Sequence, residues 1–262
     1  MNRLKFYWWK VVDLMIFINK INKTYGSYVA NKNISIKVEK GLTYGILGTN
    51  GAGKTTLINQ VMGFIKSDSG DIKVHDNNPW KNRELIMDKI GFVAGEIKQY
   101  QNLKSKNYIK IHKDFIKDFD ENYYNNLINL LEINLNTKIK NLSKGNKQKL
   151  ELLCALMKKP EILVLDEPTS GLDPVMQNKF YDILKYIKQF NVTIFICSHI
   201  FQEIKLLCDK VSFINSGSII KEFEIDDNCD LEDEFNKCFG NNKNIKNLFD
   251  SNINLGGKNE KV

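Results

Sequence analysis

The segment Gly48-Thr49-Asn50-Gly51-Ala52-Gly53-Lys54-Thr55 constrains this chain more than any other. It fits the pattern G-x-x-x-x-G-K-[ST] at every position and stands between an apolar run, Thr43–Leu47, and a helical pattern over 55–62. Glycines here let the backbone wrap an anion with its N–H groups turned inward, in conformations a Cβ would forbid. The helix after the loop presents its positive end to the same anion, at Thr55 and Thr56. Lys54 supplies a point charge to β- and γ-phosphates, and Thr55 an oxygen for Mg²⁺. A chance glycine-rich turn is the bland alternative, and the strand before and helix after it weigh against that reading.

Such a loop needs a parallel sheet to hold it, and the remaining pattern supplies one. The runs 162–165 and 192–197 are short, β-branched and flanked by polar residues, as buried parallel strands are. Ile16 and Ile18, then Ile34, Ile36 and Val38, alternate as half-buried strands, and 71–74 and 90–94 read as further strands. Residues 104–131 have helical periodicity, with Tyr108, Ile111, Phe115 and Phe119 on one stripe, then Leu127, Leu130 and Leu131. Leu150, Leu153, Cys154 and Met157 mark a helix after Ser143, and Phe180, Ile183, Leu184 and Ile187 another between the two apolar runs. Strand and helix thus alternate on a parallel sheet, with a helical insertion at about 102–141.

The second chemical constellation is Ile162-Leu163-Val164-Leu165-Asp166-Glu167, four apolar strand residues ending in two carboxylates. A buried strand delivers Asp166 to the sheet edge beside the phosphate loop, where it can hold Mg²⁺. Glu167 is placed to orient or polarise an attacking water. Solvated acids capping a strand would be the ordinary explanation of a lone Asp-Glu pair; the phosphate loop gives these two a task.

Three further stretches join the loop and the acidic pair. They are Leu142-Ser143-Lys144-Gly145-Asn146, Pro168-Thr169-Ser170-Gly171-Leu172-Asp173 and Ser198-His199. With them the chain resembles the nucleotide-binding subunits of ABC transporters over residues 16–223. The first stretch is similar to the family signature usually written LSGGQ, with Lys144 and Asn146 in place of Gly and Gln. The second comes after Glu167 as the family's D-loop does, and the third ends the next strand as its switch histidine does. Tyr25 matches the aromatic residue that stacks on adenine. The resemblance implies a P-loop NTPase fold: a RecA-like α/β core, an antiparallel β subdomain and an inserted α-helical subdomain. It implies ATP and Mg²⁺ as cofactors and ATP hydrolysis coupled to transport. Ser143, Lys144, Gly145 and Asn146 would meet ATP bound by a second subunit in a head-to-tail pair, expected to be a homodimer, and Asp173 would serve as the D-loop acid. Lys54, Thr55, Asp166, Glu167 and His199 would carry the chemistry. One departure stands out. The family's glutamine after the strand ending at Ala94 is missing, with Gly95 in its place; either Glu96 substitutes as the metal contact or metal contact here is weak, and Gln99 and Gln101 lie slightly beyond. His75 and His112 have no such context and read as surface residues.

Composition bounds the alternatives. No apolar run reaches the roughly 18–20 residues that span a bilayer, so a membrane role is expected through a separate permease partner, on the cytoplasmic face. The five cysteines form no C-x-x-C pair and suit reduced thiols. The net charge of +7 hides eight acidic residues between Glu222 and Glu234, so the rest is strongly basic. That balance could suit a soluble ATPase acting on nucleic acid or ribosomes. The lysines are scattered rather than clustered, however, and neither a second nucleotide domain, a coiled coil nor a zinc motif is present, so no nucleic-acid partner is expected. A module that binds nucleotide without hydrolysing it is the third class, opposed by Glu167 and His199. The subtype resembles ATPases of bacterial drug or antibiotic exporters. Residues 1–15, with Trp8 and Trp9 among basic residues, read as an extension ahead of Met15 or as an interfacial anchor. Residues 16–240 form the expected ATPase domain, and 241–262 a polar disordered tail.

Overall fold

Nine strands and eight α-helices succeed one another from β1 to α8 in the computed structural model, which describes residues 13–94, 100–226 and 229–239. In chain order they are β1 (Leu14–Tyr25), β2 (Tyr28–Glu39), β3 (Thr43–Leu47), α1 (Lys54–Val61), β4 (Ser69–Val74), α2 (Arg83–Met87), β5 (Ile90–Val93), α3 (Ser105–Lys113), α4 (Glu121–Leu131), α5 (Lys144–Leu156), β6 (Ile162–Asp166), α6 (Pro174–Lys188), β7 (Thr193–Ser198), α7 (Phe201–Leu207), β8 (Lys210–Asn215), β9 (Ser218–Glu224) and α8 (Leu231–Phe239). Two units are distinguished, Met1–Asp227 and Asn228–Val262.

The first unit holds two sheets. A three-stranded antiparallel sheet has the order β2-β1-β4, and a six-stranded sheet the order β5-β6-β7-β3-β8-β9. Strands β5 to β8 pair in parallel, and β9 returns antiparallel to β8. This is the mixed α/β and antiparallel arrangement the sequence implies. The alternation of Ile16, Ile18, Ile34, Ile36 and Val38 is a true two-residue period, and these side chains face one core with Tyr44, Ile46, Phe195 and Ile214 of the larger sheet. Leu57, Ile58 and Val61 of α1 enter that same core, so the first helix after the phosphate loop is buried between the sheets. Tyr44 fastens the far side: its hydroxyl bonds Ser212 of β8 at 2.6 Å and also meets Glu222 of β9.

Two sequence expectations are corrected here. The stripe over 104–131 is not one helix; α3 stops at Lys113 and α4 starts at Glu121. Asp120 starts the second helix by accepting the Tyr123 N–H at 2.9 Å, and short acidic side chains favour caps over helix interiors. Phe115 therefore lies 79% exposed instead of joining Tyr108 on a stripe. His112 is half-buried, edge-on to Tyr108 at 4.8 Å, not a free surface residue. β8 and β9 are strands that the sequence pattern does not announce. The expectations for residues 1–12 and 241–262 lie outside the described residues; Leu14 and Met15 belong to β1, where Met15 is buried. Among the described residues no helix is long and apolar enough to cross a membrane.

In the second unit, α8 carries Glu232, Asp233 and Glu234 in its first turn, where the helix dipole favours negative charge. Lys237 pairs with Asp233 at 2.7 Å and Glu234 at 3.0 Å.

Candidate active site

Three strand ends finish level. Leu47 of β3 pairs with Ser198 of β7, and Asp166 of β6 with Cys197. Gly48, Glu167 and His199 therefore leave the sheet side by side. The backbone ladder continues one step past them: Gly48 N–H donates to the Ser198 carbonyl at 3.3 Å, and Glu167 N–H to the Cys197 carbonyl at 2.9 Å. This is the carboxyl edge of a parallel sheet, the place where α/β folds bind ligands.

The phosphate loop is held from behind. Gly53 has φ +103°, and a Cβ there would stand 2.2 Å from the Ala30 carbonyl oxygen of β2. Asn31, fully buried, donates from Nδ2 to the Gly53 carbonyl at 3.1 Å. Gln60 Nε2 donates to Asn31 Oδ1 at 2.6 Å, and Ser67 Oγ to Gln60 Oε1 at 2.7 Å. This relay fastens the loop to the antiparallel sheet. Sequence reasoning missed it, because a single Asn between Ala30 and Lys32 gives no sign of burial.

In front of the loop the expected chemical groups converge. Lys54 Nζ donates to the carbonyls of Gly48 and Thr49 at 2.7 and 3.0 Å and lies 3.0 Å from Glu167 Oε1. The other Glu167 oxygen, Oε2, is 2.5 Å from His199 Nδ1. Lys54, Glu167 and His199 thus form one continuous array. Glu167 takes φ +50°, a left-handed conformation that costs a residue with a Cβ on the order of 1 kcal/mol. Beside it, burial raises the Asp166 carboxyl above the usual carboxylate range; Thr55 opposes the shift, Glu167 adds to it and Lys54 opposes it. Asp166 Oδ1 is buried with no hydrogen-bond partner.

A cavity of about 190 Å³ opens on this array, lined by Tyr28, Asn50, Gly51, Gly53, Lys54, Thr55, Thr56 and Glu167. A larger one of about 300 Å³, beside Lys66 and Trp80, contains none of the array. Thr49 contributes its carbonyl to Lys54, and Ala52 is buried beneath the loop. Tyr25 and Tyr28 face each other across the two-residue turn at Gly26-Ser27. Tyr25 is 46% exposed, with Lys23 Nζ 5.4 Å from its ring. Tyr28 belongs to no sequence motif, yet it lines the cavity and its hydroxyl donates to the Gly51 carbonyl at 2.9 Å. An aromatic residue paired directly across a tight turn is the signal that could have found it. Tyr25→Ala should weaken ATP binding roughly 5-fold or more if the ring stacks on the base. Tyr28→Phe, which removes one exposed hydrogen bond, should change it about 2-fold. Nucleotide titration monitored by calorimetry separates the two.

The signature residues lie elsewhere. Ser143 caps α5, its Oγ accepting the Asn146 N–H at 3.3 Å. Gly145 packs toward Met176, where a Cβ would stand 3.0 Å from the methionine methyl, and the Lys144 ammonium reaches over Gly171. None of Ser143, Lys144, Gly145 and Asn146 lines the loop cavity. Asp173 caps α6, accepting from Val175 and Met176 N–H at 3.1 and 3.0 Å. Glu96, with Gly95 and Gln99, lies outside the described residues.

A phosphate loop, a half-buried acidic pair at the end of an apolar strand and a histidine level with it define a nucleotide-hydrolysing P-loop ATPase. The chain belongs to the ABC transporter family, whose pattern matches residues 31–170. It is 36% identical over 218 residues to the bacitracin transport ATP-binding protein BcrA of Bacillus licheniformis, covering 82% of this chain and 71% of that one. To the lantibiotic transport ATP-binding protein SrtF of Streptococcus pyogenes it is 34% identical over 224 residues, covering 85% and 96%. Its fold matches a dimeric post-hydrolysis state of the ATP-binding cassette MJ0796 bound to ADP and Pi, with TM-score 0.72, 22% identity and 81% and 99% coverage. This chain is therefore an ATP-binding and ATP-hydrolysing subunit of an ABC transporter.

Proposed function

We propose that two copies of this chain close head to tail around two ATP and that hydrolysis drives a separate membrane-spanning permease in export. The array of Lys54, Glu167 and His199 beside the loop cavity is the observation that carries this reading. Lys54 Nζ donates hydrogen bonds to two carbonyls and forms an ion pair with Glu167 Oε1, a buried oxygen that accepts no hydrogen bond. An incoming γ-phosphate competes with the carboxylate for that charge. Binding thereby releases Glu167 Oε1 toward an attacking water, with His199 keeping hold of Oε2. Glu167 is the general base, and His199 positions it and meets the γ-phosphate.

Mg²⁺ fits the residues present. Asp166 Oδ1 is a buried oxygen without a partner, and the Thr55 side chain acts on the same carboxyl. Those two groups would hold the ion, which would supply positive charge to neutralise the phosphate oxygens. Tyr25 would stack on the base, and Gly48, Thr49, Asn50, Gly51, Ala52, Gly53 and Thr56 would enclose the phosphates. Ser143, Lys144, Gly145 and Asn146 are offered to the partner's ATP, since α5 begins at an exposed, positively polarised end away from the chain's own loop. Residues 16–240 serve as the ATPase domain, with the helical part near 102–141 facing the permease on the cytoplasmic side of the membrane. The relatives named for bacitracin and lantibiotic transport favour an antibiotic of that kind as cargo.

If the site is shared, specific ATPase activity should rise steeply as protein concentration is raised, then level off as dimers saturate. Activity per chain that stays constant down to concentrations where sedimentation finds only monomers would overturn the shared site. Co-purification with a multi-span membrane protein from native cells tests the permease.

A further inference from the structure

One acidic side chain near the array has no part in the chemistry above. Glu203 of α7 is 0% exposed. One carboxyl oxygen, Oε1, accepts the Thr169 hydroxyl at 2.8 Å; the other is buried with no hydrogen-bond partner. Ser198, also fully buried, bears on the same carboxyl through its side chain, while its Oγ accepts the Ile200 N–H at 3.0 Å. These two neighbours are not arbitrary. Thr169 stands two residues after Glu167, and Ser198 immediately before His199. Thr169 is itself fully buried, and its carbonyl accepts Gln177 Nε2 of α6 at 3.4 Å. The side chain of Glu203 thus meets both segments that carry the Glu167–His199 pair.

We propose that Glu203 is a positioning residue for hydrolysis, anchoring Thr169 by a hydrogen bond and lying beside Ser198 so that Glu167 and His199 stay within hydrogen-bond reach of each other. The inference rests on the reading of Glu167 as base and His199 as its partner. A buried carboxyl that holds one hydroxyl and leaves its second oxygen unpaired is expensive unless geometry is at stake, because an unpaired buried polar oxygen carries a desolvation penalty. Its surroundings favour the neutral acid. Burial pushes the Glu203 carboxyl up to about 7, the Ser198 and Thr169 hydroxyls oppose this, and the Glu167 charge adds to it. The other titratable groups facing it are the buried Cys208 thiol and Tyr181 of α6. A carboxyl that loses its proton near neutrality places a second negative charge close to Glu167, so turnover should fall as pH rises through 7.

The test uses the full chain and three variants, reading kcat, KM for ATP and melting temperature between pH 6 and 8. Glu203→Leu should lower kcat at least 10-fold while KM stays within 2-fold. Glu203→Gln keeps an acceptor for Thr169 and cannot ionise, so it should retain kcat within 2-fold at pH 6 and show a flatter profile toward pH 8. Thr169→Val, which leaves Glu203 in place, should reproduce the kcat loss if Glu203→Leu does not fold. A folded Glu203→Leu with native kcat overturns the inference. So does an equal loss of kcat, ATP affinity and melting temperature in the Leu and Gln variants, the mark of a purely structural group. An unmutated chain that binds but never hydrolyses ATP would instead defeat the underlying reading of Glu167.

Discussion

Glu167→Gln is expected to hydrolyse ATP more slowly by on the order of 100-fold or more, while binding it at least as tightly as the unmutated chain. Glutamine keeps the size of the side chain and an oxygen for His199, so the pair at 2.5 Å has a near equivalent. What disappears is the negative charge that would polarise a water. The same change removes the ion pair that occupies Lys54 at 3.0 Å, so the phosphates no longer compete with a carboxylate for the ammonium. Loss of turnover without loss of affinity is therefore the signature to look for. Phosphate release measures the first and nucleotide titration the second. With ATP present the variant should also accumulate as a dimer on size exclusion, because closure outlasts a step that no longer occurs. Turnover near the native rate would place the base elsewhere.

Gly53→Ala should abolish useful nucleotide binding, weakening it by about 100-fold or more, which is about 2.7 kcal/mol. Two independent facts require glycine here. The φ of +103° lies beyond the left-handed region that an alanine tolerates, and the added methyl would meet the Ala30 carbonyl at 2.2 Å. Neither obstacle is a flexible side chain, so the loop must move. Its movement also breaks the Asn31 to Gly53 bond and opens the relay through Gln60 to Ser67. A fall in stability on the order of 2–3 kcal/mol should accompany the lost affinity. Gly51→Ala is the control: φ is +81° there too, but a Cβ meets nothing within 4 Å, so the damage should be smaller. Equal ATP affinity in Gly53→Ala and the native chain would mean the loop is not held as described.

Much of the fold and site is legible in the residues because the physics concerned is local. A two-residue alternation reports which face of a strand is buried, and Ile16, Ile18, Ile34, Ile36 and Val38 declare theirs by that alone. The phosphate loop and the acidic pair are contiguous motifs whose residue types are dictated by one ligand. What escapes depends on distant partners. β9 exposes most of its residues along an edge, so nothing in Ser218–Glu224 announces a strand until β8 lies beside it. The helical stripe through Phe115 fails because Asp114, Asp118 and Asp120 supply ends as readily as interiors, and only the fold selects among them. Asn31, Tyr28 and Glu203 act through contacts with residues 22 or more positions away in sequence. No short window along the chain contains both members of such a pair.

The strand order has a consequence for how the protein comes into being. β3, which presents the phosphate loop, pairs on one side with β7 and on the other with β8, Thr43 beside Ile194 and Tyr44 beside Lys210. A nascent chain that has left the ribosome only as far as α5 already contains the complete glycine-rich loop, but no neighbour for the strand that must hold it. Long-range pairings of this kind close late and slowly. Competence to grip a nucleotide is thus acquired only once β7 and β8 have followed, and until then both edges of β3 lack the neighbours that cover them.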